Sequence, residues 1–229
     1  MRKVLAICFL CVMVAAIAGC SLLADNGGTV AKGTAEAVPT EKKPLVIYFA
    51  YSENMGDTSN MDVDAITSAS LHEPTENKKG NMQVMVQEIR QRTGADVYHI
   101  VVQEPYDPVF ETMRDRAVEE IEQETMVKLQ NPHPDLSGYD TIYFGTPVWH
   151  YTLPPAVRTF LKENDLSGKT MIPFGIHRGS EFSTNLESIQ ELQPNVRMAD
   201  GFTIDSRTAN DEVKKQFGEF LDNTLNKRK

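Results

Sequence analysis

The sequence predicts an α/β domain, one parallel sheet with helices on both faces. Strand-like apolar runs and helix-like amphipathic stretches alternate five times between Pro44 and Asn226, the pattern of strands joined by crossover helices. The first run, Leu45 to Tyr51, is apolar without alternation, as a strand covered on both faces requires. With 229 residues, 41% hydrophobic and 24% charged, the chain has material for one well-cored domain and too little for two.

A long polar segment, Ser52 to Lys79, follows the first strand. Asn81 to Arg92 predicts a helix, because Met82, Met85, Val86 and Ile89 recur at helical spacing and Gly94 stops it. Asp96 to Val102 is the second strand. Phe110 to Gln130 predicts a long acidic helix with the apolar stripe Met113, Ala117, Ile121 and Met126; its acids, Glu119, Glu120, Glu122 and Glu124, read as a solvated face. Asn131 to Gly138 is a loop. The third strand, Thr141 to Phe144, breaks at Gly145 and turns through Thr146-Pro147. A helix runs on from Ala156, and Pro154 and Pro155 suit its first turn, where a missing N–H costs nothing. Thr170 to Ile176 is the fourth strand, His177 to Phe182 a Gly/Ser loop, and Thr184 to Leu192 the fourth helix. Val196 to Ile204 holds the fifth strand, interrupted at Asp200-Gly201. Asn210 to Asn226 is the last helix, burying Val213, Phe217, Phe220, Leu221 and Leu225.

The N-terminus reads as an export signal. Arg2 and Lys3 precede the uncharged apolar run Val4 to Ala18, which has signal length rather than membrane-spanning length. The run ends Ile17-Ala18-Gly19-Cys20, which resembles a bacterial lipoprotein signal. The resemblance implies removal of residues 1–19, a lipid on Cys20, and a place outside the cytoplasm on the cell membrane or outer membrane. Residues 20–43, small and polar with Gly27-Gly28, then read as a flexible tether to a domain spanning 44–229.

Charge and cysteines exclude several functions. A net charge of −9 argues against a nucleic-acid surface, which needs a cationic footprint. Cys8 and Cys11 lie inside the signal and Cys20 would carry lipid, so thiolate metal sites and thiol catalysis are not expected in the domain. His72, His99 and His133 lack ligand spacing, and no metal site is expected.

In open α/β sheets, ligands bind beyond the carboxyl ends of the strands. Three segments fall there: Ser52 onward, Gly145 onward and His177 onward. The second holds Val148, the only tryptophan, Trp149, and then His150 and Tyr151, a set suited to a flat aromatic ligand, or else an ordinary strand–helix connection whose Trp fills a core gap. At this point the chain resembles the flavodoxin-like family, in the branch with an extended first loop. The matching residues are Ile47 to Ser52, Gly80-Asn81, Asp140 to Trp149 and Phe174 to Ser180. The resemblance implies a three-layer sandwich around a five-stranded parallel sheet of order 2-1-3-4-5, with FMN as cofactor. Ser52, Gly80 and Asn81 would meet the phosphate at a helix N-terminus, where free N–H groups face an anion. Residues 53–79 split that motif, and Met82 stands where a Thr is expected; Thr67, Ser68 or Ser70 of the inserted stretch would supply the missing hydroxyl, or the stretch would cover the flavin, or else it is a surface elaboration whose hydroxyls meet water. Thr146, Pro147, Val148, Trp149, His150 and Tyr151 would lie along the flavin ring. His177, Gly179 and Ser180 would line its other edge, the glycine and serine giving backbone donors.

His150 and His177 are candidates for proton transfer beside a flavin, or else inert loop histidines. Arg178 would attract an anionic substrate or steady reduced flavin. The expected activity is electron transfer, or reduction of a small acceptor such as a quinone, with donor and acceptor unidentified. The alternative is a surface binding or interaction module of the same fold without redox activity.

Overall fold

The computed structural model describes residues 27–35, 42–56 and 80–226. Its strands are β1 (Thr29–Ala31), β2 (Leu45–Tyr48), β3 (Asp96–His99), β4 (Thr141–Pro147), β5 (Thr170–His177), β6 (Arg197–Met198) and β7 (Gly201–Asp205). Its helices are α1 (Asn81–Thr93), α2 (Phe110–Glu122), α3 (Pro155–Glu163), α4 (Asn185–Leu192) and α5 (Asn210–Asn226). The sheet runs β1-β7-β5-β4-β2-β3, and β6 pairs with the start of β5. The five expected strands, β2, β3, β4, β5 and β7, are mutually parallel and stand in the expected order.

Strand alternation divides the core into two layers. Leu45, Ile47, Ile142 and Phe144 point to the side covered by α2, α3 and α4, through Met113, Ala117, Val157, Phe160 and Ile189. Val46, Tyr48 and Tyr143 point to the side covered by α1 and α5, through Met85, Ile89, Phe217 and Leu221. Period-2 strands between period-3.6 helices give this three-layer arrangement.

Two expectations require correction. The sheet is mixed and seven-stranded, not five-stranded and parallel. The fifth strand divides at Asp200 into β6 and β7, and β1 adds an antiparallel edge, with Thr29 opposite Thr203 and Ala31 opposite Gly201. Part of the expected tether is therefore built into the domain. Gly28 N–H donates to Gln216 Oε1, Gly33 N–H to Asp200 Oδ1 at 2.9 Å, and Ala35 N–H to Met198 O at 2.9 Å. A Cβ on Gly28 would lie 2.1 Å from Phe202 Cζ, and one on Gly33 would lie 2.1 Å from the Ala199 carbonyl carbon. These glycines allow close approach, not flexibility.

The second correction concerns α2, which stops at Glu122 instead of reaching Gln130. Glu124 takes a left-handed φ of 50°. Glu124 N–H then donates to Ile121 O at 3.2 Å and Thr125 N–H to Glu120 O at 2.8 Å, the paired bonds of a Schellman stop. Val127 to Leu129 turn back beside the end of β3, with Gln103 N–H on Lys128 O and Gln130 N–H on Val101 O. Met126 is accordingly exposed instead of lying on a helical stripe.

A chain beginning at Gly27 should be more stable than one beginning at Pro44, by about 2–4 kcal/mol if each lost hydrogen bond contributes about 1 kcal/mol. Urea unfolding of the two chains checks this, and equal midpoints would return residues 27–35 to a tether.

Candidate functional site

The carboxyl ends of β4 and β5 are held level by continuous pairing from Thr141 opposite Thr170 to Pro147 opposite Ile176. The ladder continues one bond further, Val148 N–H to Ile176 O at 3.0 Å. Beyond it the first loop folds into a tight hairpin. Trp149 and Thr152 exchange both backbone hydrogen bonds, at 2.9 and 2.8 Å, around His150 and Tyr151. Both of those residues have left-handed φ, 46° and 63°, which fits the type I′ turns of two-residue hairpins. Asn-Gly is the usual occupant; two bulky side chains there cost about 1–2 kcal/mol each. The turn is tied to the neighbouring loop, where Thr184 Oγ1 donates to Tyr151 O at 2.7 Å and Asn185 Nδ2 to Pro147 O at 3.2 Å. The β5 loop is strained too, with left-handed φ at Glu181 and Ser183 and at Gly179. Four of the five left-handed non-glycine residues among the described residues thus sit on these two loops.

Between the loops and α2 lies a cavity of about 480 Å³. Val148, Ile176, Phe110 and Met113 give it apolar walls, and Arg114, His177, Arg178, Ser180 and Ser206 add polar groups. Of the expected residues, Pro147, Val148, Trp149, His150, Tyr151, His177 and Ser180 line it. Their exposure divides them. Trp149 is only 9% exposed and packs edge-on against Phe49, Tyr51 and Tyr106, at 5.5, 6.1 and 5.1 Å between centroids. Tyr51 is itself anchored, its hydroxyl donating to Asp107 O at 2.5 Å, and burial foremost pushes its pKa up to about 12. Trp149 is therefore chiefly a core residue with one edge on the cavity. Tyr151, 72% exposed, is the aromatic available to a ligand.

His177 accepts Gly179 N–H on Nδ1 at 2.8 Å, which assigns its proton to Nε2. That Nε2 is buried and without a hydrogen-bond partner among the described residues. Burial lowers the His177 pKa; Asp205 and Glu181 oppose the shift, and Arg207 adds to it. Asp205 faces His177 across the β5–β7 ladder and is held well below the usual carboxylate range by Arg207, whose Nη2 lies 2.6 Å from Oδ2. The Gly179 N–H expected to reach a ligand is thus already spent on His177. Thr146 is fully buried in β4, its hydroxyl on Pro147 O, and does not line the cavity.

The expected anion turn is altered. After Ser52, residues 54–56 leave toward the segment after β3. Asn54 Nδ2 donates to Ala50 O and Ile100 O, its Oδ1 accepts Val102 N–H at 2.8 Å, and Gly56 N–H bonds Tyr106 O. Gly80 N–H is taken by Gln83 Oε1 at 3.0 Å. Asn81 is buried and donates through Nδ2 to Ser206 O and Thr208 O, at 3.2 and 3.0 Å, which joins the start of α1 to the β7 loop at the cavity. Ser52 Oγ is buried without a partner among the described residues. Thr67, Ser68 and Cys20 lie outside the described residues.

Sequence reasoning missed the α2 wall, Phe110, Met113, Arg114 and Ala117, although Met113 and Ala117 stood in the apolar stripe. It also missed a cluster at the ends of β2 and β3. There the His99 ring stacks on Tyr48 at 4.6 Å, and His99 Nε2 lies 3.3 Å from Glu53 Oε2. Burial lowers the His99 pKa against the pull of Glu53, while burial and then Glu53 push Tyr48 well above the usual phenol range. Among the described residues no group of His, Cys, Asp and Glu could hold a metal ion.

A doubly wound sheet of this order, with its cavity at the β4 and β5 loops, defines a flavodoxin-like α/β protein. The sequence profile of the flavodoxin family matches residues 75–220, and the chain belongs to that family. Two solved structures share the fold: a candidate flavoprotein from Bacteroides eggerthii, 20% identical over 81% of this chain and 99% of that one, TM-score 0.57, and one from Bacteroides uniformis, 19% identical over 80% and 99%, TM-score 0.58. A Lactobacillus acidophilus flavoprotein in complex with FMN is 17% identical over 76% and 98%, with a TM-score of 0.48. No curated protein matches the chain in sequence.

His99 and His177 are both kept neutral by burial, so the native state binds fewer protons than the unfolded chain as pH falls below the ordinary histidine value of about 6.5. Stability should therefore be fully present above that value and decline as pH drops through it. His177→Gln and His99→Gln should each flatten part of that decline in thermal unfolding followed from pH 7.5 to 5; an unchanged slope in both variants would refute the buried neutral assignments.

Proposed function

We propose that this chain is an exported, lipid-anchored FMN protein that transfers electrons or reduces a small acceptor such as a quinone. One observation carries the site: four strained left-handed residues concentrate on the two loops that flank an apolar cavity, and such strain persists where a binding geometry is held in place. The residues present fit a flavin. Tyr151 offers an exposed ring, Val148 and Ile176 an apolar floor, and His177 an unpartnered buried Nε2 proton. The first-turn N–H groups of α1, at Asn81, Met82 and Gln83, have no intrahelical partner and suit a phosphate, with Ser52 Oγ as a further group. FMN, when bound, supplies the redox chemistry; the chain supplies position and electrostatics. The neutral His177 can donate one hydrogen bond and stays uncharged near pH 7, so it orients a ring without adding fixed charge. The Asp205–Arg207 pair behind it fixes the local charge balance.

The non-redox binding module has one observation in its favour, the Gly80 N–H spent on Gln83. A visible spectrum of the purified chain, before and after addition of FMN, separates the two. Flavin bands that survive gel filtration support FMN binding; a colourless protein with which micromolar FMN never co-elutes overturns it. Tyr151→Ala should raise the FMN dissociation constant about tenfold, the loss of one aromatic contact of about 1–1.5 kcal/mol, with little change in stability. Trp149→Ala should instead cost about 3–5 kcal/mol of folding stability as an aromatic-to-alanine core change. Titration calorimetry and urea unfolding of both variants check the division.

A further inference from the structure

The antiparallel edge strand decides which end of the domain its N-terminal attachment leaves from. Thr29 pairs with Thr203 and Ala31 with Gly201, so β1 begins beside the carboxyl end of β7. The carboxyl ends of β7 and β5 are level, Asp205 lying opposite His177. Gly28, held to Gln216 of α5, therefore stands on the edge of the sheet where the cavity opens. Two to three strand spacings separate β1 from the β5 and β4 loops, roughly 10–15 Å. The C-terminal helix ends at the other edge. α5 runs alongside α1, with Asn81 on Thr208 at one end and Arg92 on Asp222 at the other, just before β3 starts.

Cys20 precedes Thr29 by nine residues. Fully extended, nine residues reach about 30 Å, whereas the 24 residues from Cys20 to Pro44 would reach about 80 Å. A domain of this size is about 40 Å across. The short connection cannot pass around the domain to lay its amino edge on a membrane; the longer one could.

Resting on the lipid anchor proposed above, we infer that β1 holds the cavity edge toward the membrane, and that the cavity takes its ligand, an apolar ring compound of the quinone class, from the lipid phase. Phe110 and Met113 of α2 offer such a compound an apolar wall, across the cavity from Val148, Ile176 and Tyr151, which would hold the flavin.

The test uses the chain from Cys20 onward, in which Cys20 is the sole cysteine. It is coupled through Cys20 to a maleimide lipid in phosphatidylcholine vesicles. A second preparation carries Cys20→Ser and a cysteine appended after Lys229, coupled in the same way. Trp149 is the only tryptophan and lines the cavity, so its energy transfer to dansyl-labelled lipid, and its quenching by a long-chain naphthoquinone dissolved in the bilayer, report on this edge. Both preparations carry the same flavin load, and their ratio reports geometry alone. Transfer should be several-fold stronger through Cys20, and quenching should need about five-fold less bilayer quinone, since a held site sees a higher effective concentration. Equal transfer from the two couplings would overturn the orientation, and equal quenching would overturn the lipid-phase ligand. Palmitate labelling of Cys20 in cells tests the anchor separately; its failure would remove the natural attachment while leaving the vesicle geometry readable.

Discussion

The tight ladder between β4 and β5 is the constraint on which the site depends. Seven residue pairs are in register, and the two chains approach so closely that neither Gly145 nor Gly175 has room for a side chain. A Cβ on Gly145 would meet Phe174 Cζ at 2.5 Å, and one on Gly175 would meet Thr146 O at 2.6 Å. Because the strands stay in step to their last residue, the loops that follow begin at one height and face one space. A slip of one residue would turn Phe144 and Phe174 to the wrong layers and move the loops apart.

That registry is also what allows strain to persist beyond it. His150 and Tyr151 would relax out of the left-handed region in a free loop. They are held by the Trp149–Thr152 bonds beneath, by Thr184 and Asn185 alongside, and by the packing of Trp149 among Phe49, Tyr51 and Tyr106. The indole thus serves the site from below. It fixes the base of a hairpin whose tip presents Tyr151 to the cavity. The buried cluster therefore determines the placement of an exposed ring at the cavity.

Much of this was legible in the sequence, and the failures share a physical origin. The alternation of strands and helices, the two helical layers and the Pro147 to Tyr151 loop followed from apolar periodicity and from residues at strand ends, and the strand order followed from the family resemblance. Trp149 lines the cavity as expected, but composition marks an aromatic near a site without saying which neighbours enclose it; Tyr106 and Tyr51 are far away along the chain. The α2 wall was hidden because Phe110 and Met113 are apolar residues on an amphipathic helix, indistinguishable from core. Gly179 read as a donor because its partner, His177 Nδ1, depends on a ring orientation. The end of α2 was missed because Glu124 occupies a left-handed position usually marked by glycine or asparagine.

Glycine carries two opposite meanings, and the N-terminal segment turns on the difference. Gly27, Gly28 and Gly33 among small polar residues have the composition of a linker, in which glycine supplies freedom. In the fold, Gly28 lies under the Phe202 ring and Gly33 against the backbone of Met198 and Ala199, where only the absence of a Cβ matters. Nothing local distinguishes these roles. The distinction comes from the partner strand, β7, more than 160 residues later, whose edge would otherwise be open. Covering that edge consumes the middle of the apparent linker, residues 27–35. The same pairing that protects the sheet thereby sets the start of β1 beside the carboxyl end of β7.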